Sequence, residues 1–197
     1  MSQQPTTPLL VGIPTHDGRA MINSCMELVL LGNVMQSVMK LMVGEAGNIP
    51  RARNIVMDEV RKELNRGTGL AWVLWLDSDI VLTPGSHQSI AHAMRWSHQT
   101  GNAWVANYRM GNHQNVLLKQ RDLYLSEHYT DEELTNLPPF AEVAMSGFGL
   151  VYLPMDLTYL FHADRWGEDV YFFMDHPNLK IYYANEIVIQ HKKTVLL

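Results

Sequence analysis

The stretch Trp72-Val73-Leu74-Trp75-Leu76-Asp77-Ser78-Asp79 constrains the fold most. Apolar residues run without a break into two carboxylates one residue apart. A short apolar run bounded by turn formers marks a strand buried on both faces, the usual state of a strand in a parallel sheet. A carboxylate is too costly inside such a strand, so Asp77 and Asp79 must lie where the chain leaves the sheet. Ligands of open α/β sheets bind at that edge. With little Lys or Arg nearby in sequence, the two carboxylates need a cation. Hard oxygen donors suit Mg²⁺ or Mn²⁺, which commonly share their shell with substrate phosphates. The alternative is an Asp-Ser-Asp turn that caps the next helix, and the triplet alone does not separate the two.

Around this strand the chain alternates. Leu9 to Pro14 reads as a first strand, followed by the turn-rich Pro14-Thr15-His16-Asp17-Gly18. Asp17 is placed to cap a helix. In that helix Ile22, Met26, Val29 and either Cys25 or Leu30 form the expected buried stripe, and Gly32-Asn33 the expected end. Ser37 to Val43 gives a second strand, and Gly44 to Asn48 a loop. Pro50 fits the first turn of a second helix, with Ala52, Ile55 or Val56, Val60 and Leu64 inward. Arg51 and Arg53 fall in its first turn, where anions and not cations are favoured. A phosphate held by backbone N–H groups and Arg together would resolve the mismatch; two surface arginines paired with Asp58 or Glu59 are the alternative.

After the Asp pair, Thr83-Pro84-Gly85 opens a helix that runs to about Thr100 and stops at Gly101. Ala103 to Met110 reads as a fourth strand. Residues 111–140 are the least regular, though Thr130-Asp131-Glu132-Glu133 is a capping box. An insertion of that length is functional or mobile in most compact domains. Ala141 to Met145 and Leu150 to Leu153 read as hairpin-like strands around Ser146-Gly147-Phe148-Gly149. There the glycines let backbone approach a ligand, or make a plain bulge. Trp166-Gly167-Glu168-Asp169 precedes an apolar run, Val170 to Met174. Lys180 to Ala184 and Ile187 to Gln190 are the last strands, and His191 follows. This alternation implies an α/β fold with a mixed, mainly parallel sheet flanked by helices.

Composition limits the rest. A chain of 197 residues suits one domain. We expect a disordered lead-in over 1–7, then a single domain over 8–197 with 111–140 as an irregular insertion. The single Cys25 excludes an internal disulfide framework and fits a reduced, cytoplasmic setting. No apolar run is long enough to span a membrane. A formal net charge of −5 argues against broad, charge-driven binding to nucleic acid.

The order of these pieces resembles the core of a GT-A type glycosyltransferase over roughly residues 8 to 191. It has Ile-Pro-Thr-His-Asp after the first strand, Arg-Ala-Arg-Asn opening a helix and Asp-Ser-Asp ending a buried strand. A Gly-Phe-Gly loop then precedes Trp-Gly-Glu-Asp, and a late strand delivers a His. The small, free-standing core is similar to bacteriophage-encoded glycosyltransferases, which implies a host-cytoplasmic setting and hydroxymethylated bases of DNA as one acceptor. The resemblance implies a nucleoside-diphosphate sugar as donor, a UDP-sugar foremost, with Mn²⁺ or Mg²⁺ held by Asp79, Asp77 and His191. Pro14, Thr15, His16, Arg51, Arg53, Asn54, Asp77 and Ser78 would line the nucleotide, and Gly147, Phe148 and Gly149 the sugar. Trp166 and Glu168 would meet the acceptor. Glu168 and Asp169 would be the catalytic acids: Asp169 as base if the enzyme inverts, the pair as positioning groups if it retains. A sugar nucleotidyltransferase is the rival enzyme reading, although the loop after the first strand has a single Gly where a Gly-rich phosphate loop belongs. A non-catalytic nucleotide-sugar or nucleic-acid binding module is the rival of another class.

Overall fold

The computed structural model describes residues 8–65, 71–110, 114–122, 127–155, 159–162 and 168–192. The expected lead-in over 1–7 and Trp166 lie outside the described residues, as does the side chain of Glu168. The chain folds as the sequence implies, into one mixed α/β sheet flanked by helices. Its strands are β1 (Leu9–Thr15), β2 (Met39–Glu45), β3 (Ala71–Leu76), β4 (Ile80–Leu82), β5 (Ala103–Val105), β6 (Ala141–Val143), β7 (Leu150–Met155), β8 (Ile181–Tyr183) and β9 (Ile189–His191). Its helices are α1 (Ile22–Met35), α2 (Ile49–Asn65), α3 (Ser86–Thr100), α4 (Asp131–Asn136) and α5 (Glu168–Asp175).

The main sheet has the order β2-β1-β3-β7-β5-β8-β6, and β4 pairs with β9 in a small second sheet. Strands β2, β1, β3, β5 and β8 run one way, and β7 and β6 run against them. The hairpin expected from Ala141–Met145 and Leu150–Leu153 does not form. β7 inserts between β3 and β5 at the centre, while β6 pairs with β8 at the far edge. The six residues between them, 144–149, carry the chain from the far edge to the centre instead of closing a tight hairpin turn. β3 is the buried strand that its apolar run demands: Val73, Leu74 and Trp75 have no exposed surface.

α2 lies against β1 and β2 with Ala52, Val56, Met57 and Val60 inward. Gly44 allows this closeness, since a Cβ there would stand 1.9 Å from the Ala52 carbonyl oxygen. The second strand itself is two residues later than expected, ending at Glu45.

α1 is turned away from the stripe read in its sequence. Ile22, Met26 and Val29 are 73%, 61% and 64% exposed, and Leu30 and Cys25 are exposed as well. Ser24, Glu27, Leu28 and Leu31 are buried instead. Two polar anchors set this orientation. Ser24 Oγ donates to the Ile80 carbonyl (2.7 Å) and accepts from the Leu82 N–H (3.0 Å). Glu27 accepts the N–H groups of Gly85 (3.2 Å) and His87 (3.0 Å) and meets His87 Nδ1 (2.8 Å). Those are orphan donors at the start of α3, so a carboxylate from another helix does the capping. Asp17 does not cap α1; its Oδ1 accepts from Thr15 Oγ1 and the Arg19 N–H inside the loop. The helix also runs past Gly32 to Met35 and closes on Gln36 at φ 50°.

The described part of the irregular segment packs onto the domain. Val116 and Leu117 are buried, Leu118 bridges to Met145, and Thr130 with Glu133 makes the capping box of α4. The strand expected over 103–110 stops at Val105, and the chain then leaves the sheet.

Candidate active site

β3 delivers the carboxylates to the sheet edge as its sequence requires. The Asp77 N–H donates to the Gly149 carbonyl (3.0 Å), and the Ile80 N–H to the Asp77 carbonyl (3.1 Å), closing a turn through Ser78 and Asp79. The turn leads into β4, whose pairing with β9 sets Ile80 opposite His191. Asp79 Oδ2 then lies 2.9 Å from His191 Nε2, and the Lys192 N–H donates to the Asp79 carbonyl (2.9 Å). Residues distant in sequence are thus fixed side by side by backbone pairing.

Asp77 points the other way, toward Arg53. That guanidinium is 1% exposed. Its Nη2 donates to both Asp77 oxygens (2.8 and 3.0 Å) and its Nη1 to Asp169 Oδ1 (2.5 Å). The second Asp169 oxygen accepts the Phe148 N–H (3.1 Å). The guanidinium carbon stands 4.8 Å from the Phe148 ring centroid and 5.6 Å from that of Phe161, within cation–π range. Arg53 is therefore a buried bracket between two carboxylates, one from the end of β3 and one from the first turn of α5. Burial pushes the Asp77 carboxyl above its usual range, Arg53 opposes this, and the charges of Asp169 and Asp79 add to the rise. Arg121 holds the other end of α5 by donating to the carbonyls of Ala144 (3.0 Å), Phe173 (3.2 Å) and His176 (2.9 Å).

The Gly-Phe-Gly loop serves packing against the protein itself. Phe148 is fully buried beneath Arg53. A Cβ on Gly147 would stand 2.4 Å from Tyr108 Oη, and one on Gly149 2.4 Å from Tyr108 Cε1. The close approach that these glycines permit is that of Tyr108. Sequence reading passed over Tyr108 because it fell in an expected strand. Its ring centroid lies 5.3 Å from that of His191. Burial, then the Asp169 and Asp77 charges, hold its hydroxyl well above its usual range, so it stays a phenol able to donate.

Other expected site residues are placed as follows. Pro14 and Thr15 are buried at the end of β1, and His16 is exposed beyond them. Arg51 is exposed, and its N–H donates to Asn48 Oδ1 (2.9 Å), which caps α2. It sits apart in environment from Arg53, which is buried, while Asp58 and Glu59 meet Arg61 and Lys62. Asn54 is occupied by backbone: its Nδ2 donates to the Phe161 carbonyl and its Oδ1 accepts the Phe161 N–H, both at 2.9 Å. Ser78 is half-buried in the turn. Among the described residues no three His, Cys, Asp or Glu side chains converge as a ready-made metal cage. The convergent set is the Asp79–His191 pair beside the Asp77–Arg53–Asp169 bracket. Next to His191 and Tyr108 opens a groove of about 500 Å³, lined also by Asn107, Arg109, Asn185 and Gln190.

No protein-family model matches the chain, and no curated protein does. Solved structures do. The crystal structure of A197 from STIV superposes with a TM-score of 0.61 at 15% identity, over 95% of this chain and 86% of that one. UDP-glucose pyrophosphorylase from Acinetobacter baumanii gives a TM-score of 0.51 at 12% identity, over 92% of this chain and 71% of that one. GalNAc-T7 with UDP, GalNAc and Mn²⁺ gives 0.47 at 10% identity, over 93% of this chain and 43% of that one, a score too low to argue from. At these identities the likeness is one of fold alone: a mixed α/β sheet flanked by helices.

Proposed function

We propose that the chain is a metal-dependent glycosyltransferase that moves a sugar from a nucleoside-diphosphate sugar, UDP-linked foremost, to an acceptor hydroxyl. One observation carries the reading: Asp79 and His191 meet at the carboxyl edge of the central sheet, beside a second pair of carboxylates bracketed by a buried arginine. The donor set fits a divalent cation in part. Asp79 and His191 are two ligands with exposed edges, and Mn²⁺ or Mg²⁺ ordinarily takes the rest of its shell from water and substrate phosphates. Asp77 has both oxygens on Arg53 and fits a contact through water better than a direct one. When bound, the ion would offset charge growing on the departing diphosphate.

The protein's own groups supply the remainder. Arg51, exposed in the first turn of α2, is available to a phosphate; His16 and Ser78 border the nucleotide at the same sheet edge. Arg53 positions Asp77 and Asp169 and does not itself reach the donor. Asp169, fixed by Arg53 and the Phe148 amide, takes the acceptor proton as the acceptor oxygen bonds to the sugar carbon. The bond from that carbon to the diphosphate oxygen breaks, and its electron pair leaves with the diphosphate. The groove beside His191 receives the acceptor. Its Arg109 is already paired with Asp131, so its lining offers little free positive charge. A neutral hydroxylated acceptor such as a glycan suits it better than a polyanion.

Labelled UDP-sugars with Mn²⁺, incubated with glycan, protein and hydroxymethylated-DNA pools, test the proposal. Metal-dependent transfer into one pool is the expected outcome. Likeness to UDP-glucose pyrophosphorylase favours one second reading, nucleotidyl transfer. Pyrophosphate release from UTP and a sugar 1-phosphate, without transfer from UDP-sugars, would install it instead. UDP-sugar binding with neither reaction would make the chain a binding module.

A further inference from the structure

β2 is an edge strand, and no described strand pairs with its outer side. Its seven residues, Met39–Glu45, contain no proline, and the β1–β2 register runs without a bulge. Natural edge strands are commonly blunted by such devices, because a free row of N–H and C=O groups recruits another chain. The side chains make this edge more inviting. Leu41 and Val43 project on one face at 53% and 51% exposure, and Val38 just before the strand is 71% exposed. Val29 of α1 faces them across a hollow, and Ile22 and Met26 lie with it on the same exposed helix face by their i, i+4, i+7 spacing. Strand and helix border an open hollow of about 570 Å³ lined by Val29, Gly32, Val38, Met39 and Leu41, with Asn33, Gln36 and Ser37 as its uncharged polar part.

We propose that this face is a homodimer interface in which the β2 edges of two copies pair antiparallel about a two-fold axis. Three arguments choose a second copy as the occupant. The first is area. Weighted by exposure, the six apolar residues named here present on the order of 700 Å², against roughly 800 Å² per partner in a standard interface and a few hundred in an ordinary monomer patch. The second is register. With Met42 on the axis, Leu41 of each copy lies opposite the other copy's Val43, on the same sheet face, and Met39 lies opposite Glu45. Cross-strand apolar pairs then meet and no like charges do. The third is chemistry. A membrane surface would need cations around the apolar face; Lys40, the nearest in the strand, is tied to Glu63 at 2.6 Å. Two copies joined this way carry one continuous sheet, with both active sites at carboxyl edges away from the axis.

Sedimentation of the full chain across a concentration series tests this. The expected result is a dimer mass at tens of micromolar that dissociates on dilution. Leu41→Lys, at a half-exposed position, should weaken dimerisation at least roughly tenfold and leave the circular dichroism spectrum unchanged. Val29→Glu, on the helix side of the hollow, is the second variant and should do the same if it folds. A monomer at every concentration overturns the proposal. So does a dimer indifferent to both substitutions, or a monomer that floats with anionic phospholipid vesicles through Leu41.

Discussion

Arg53 gives the most quantitative handle on the site. In Arg53→Met the stem volume is kept and the charge is lost, leaving Asp77 and Asp169 facing each other without a counter-ion. Removing one partner of a buried ion pair costs about 3–5 kcal/mol. Here the Asp77 and Asp169 side chains keep 21% and 23% of their exposure, so water softens the loss and the low end applies. Stacking over Phe148 and Phe161 adds under about 1 kcal/mol. We expect a loss of ~3 kcal/mol, which for a chain of this size lowers Tm by roughly 6–12 °C. Urea unfolding at pH 7, followed by circular dichroism, measures it. In the Arg53→Met background a further Asp77→Asn should restore stability, because it removes one of two like charges. A loss below about 1 kcal/mol, or a double variant less stable than the single one, would refute the bracket.

Three further outcomes follow from the geometry. Glu27→Gln should destabilise the fold at neutral pH, since Glu27 caps α3. Although burial raises the Glu27 carboxyl, hydrogen bonds from His87 and Gly85 bring it below its usual 4.5. Its stabilisation is therefore present above that value and lost as pH falls through the lowered one; thermal melts from pH 7 to 3 should show an acid-side decline in wild type that is flatter in the variant. Gly149→Ala should cost roughly 1–3 kcal/mol through the clash with Tyr108, read as a fall in Tm, and a neutral effect would show that the loop yields freely. Asp169→Asn should keep donor binding and reduce single-turnover transfer by about 10²–10⁴; near wild-type transfer would leave Asp169 as a structural cap of α5.

The features legible in the sequence were those written in one local run. The apolar stretch ending at Asp77 could only be a buried strand with its charges at the edge, and the Thr130–Glu133 box had one reading. The late His after the strand-like Ile187 to Gln190 also reached the Asp79 turn. What escaped depended on partners distant in sequence. The face of α1 was misread because periodicity sorts by hydrophobicity, while Ser24 and Glu27 have partners on β4 and α3 that outweigh the apolar stripe. Two glycines around Phe148 signalled a close approach, but not that Tyr108 makes it. Arg53 read as a phosphate ligand or a surface cation at a helix start, and nothing local told that α2 presses onto Gly44 and carries it beneath two carboxylates. β7 displaced an expected hairpin because strand order is set by the whole sheet.

In the proposed function Asp79 and His191 bind a nucleoside diphosphate through a divalent cation. Calorimetric titration of UDP into the protein, with Mn²⁺ and after chelation, on wild type and on Asp79→Ala, addresses it directly. UDP should bind wild type only when Mn²⁺ is present, and the folded Asp79→Ala protein should not bind it under either condition. Equal affinity with and without metal, or undiminished binding by Asp79→Ala, would contradict it.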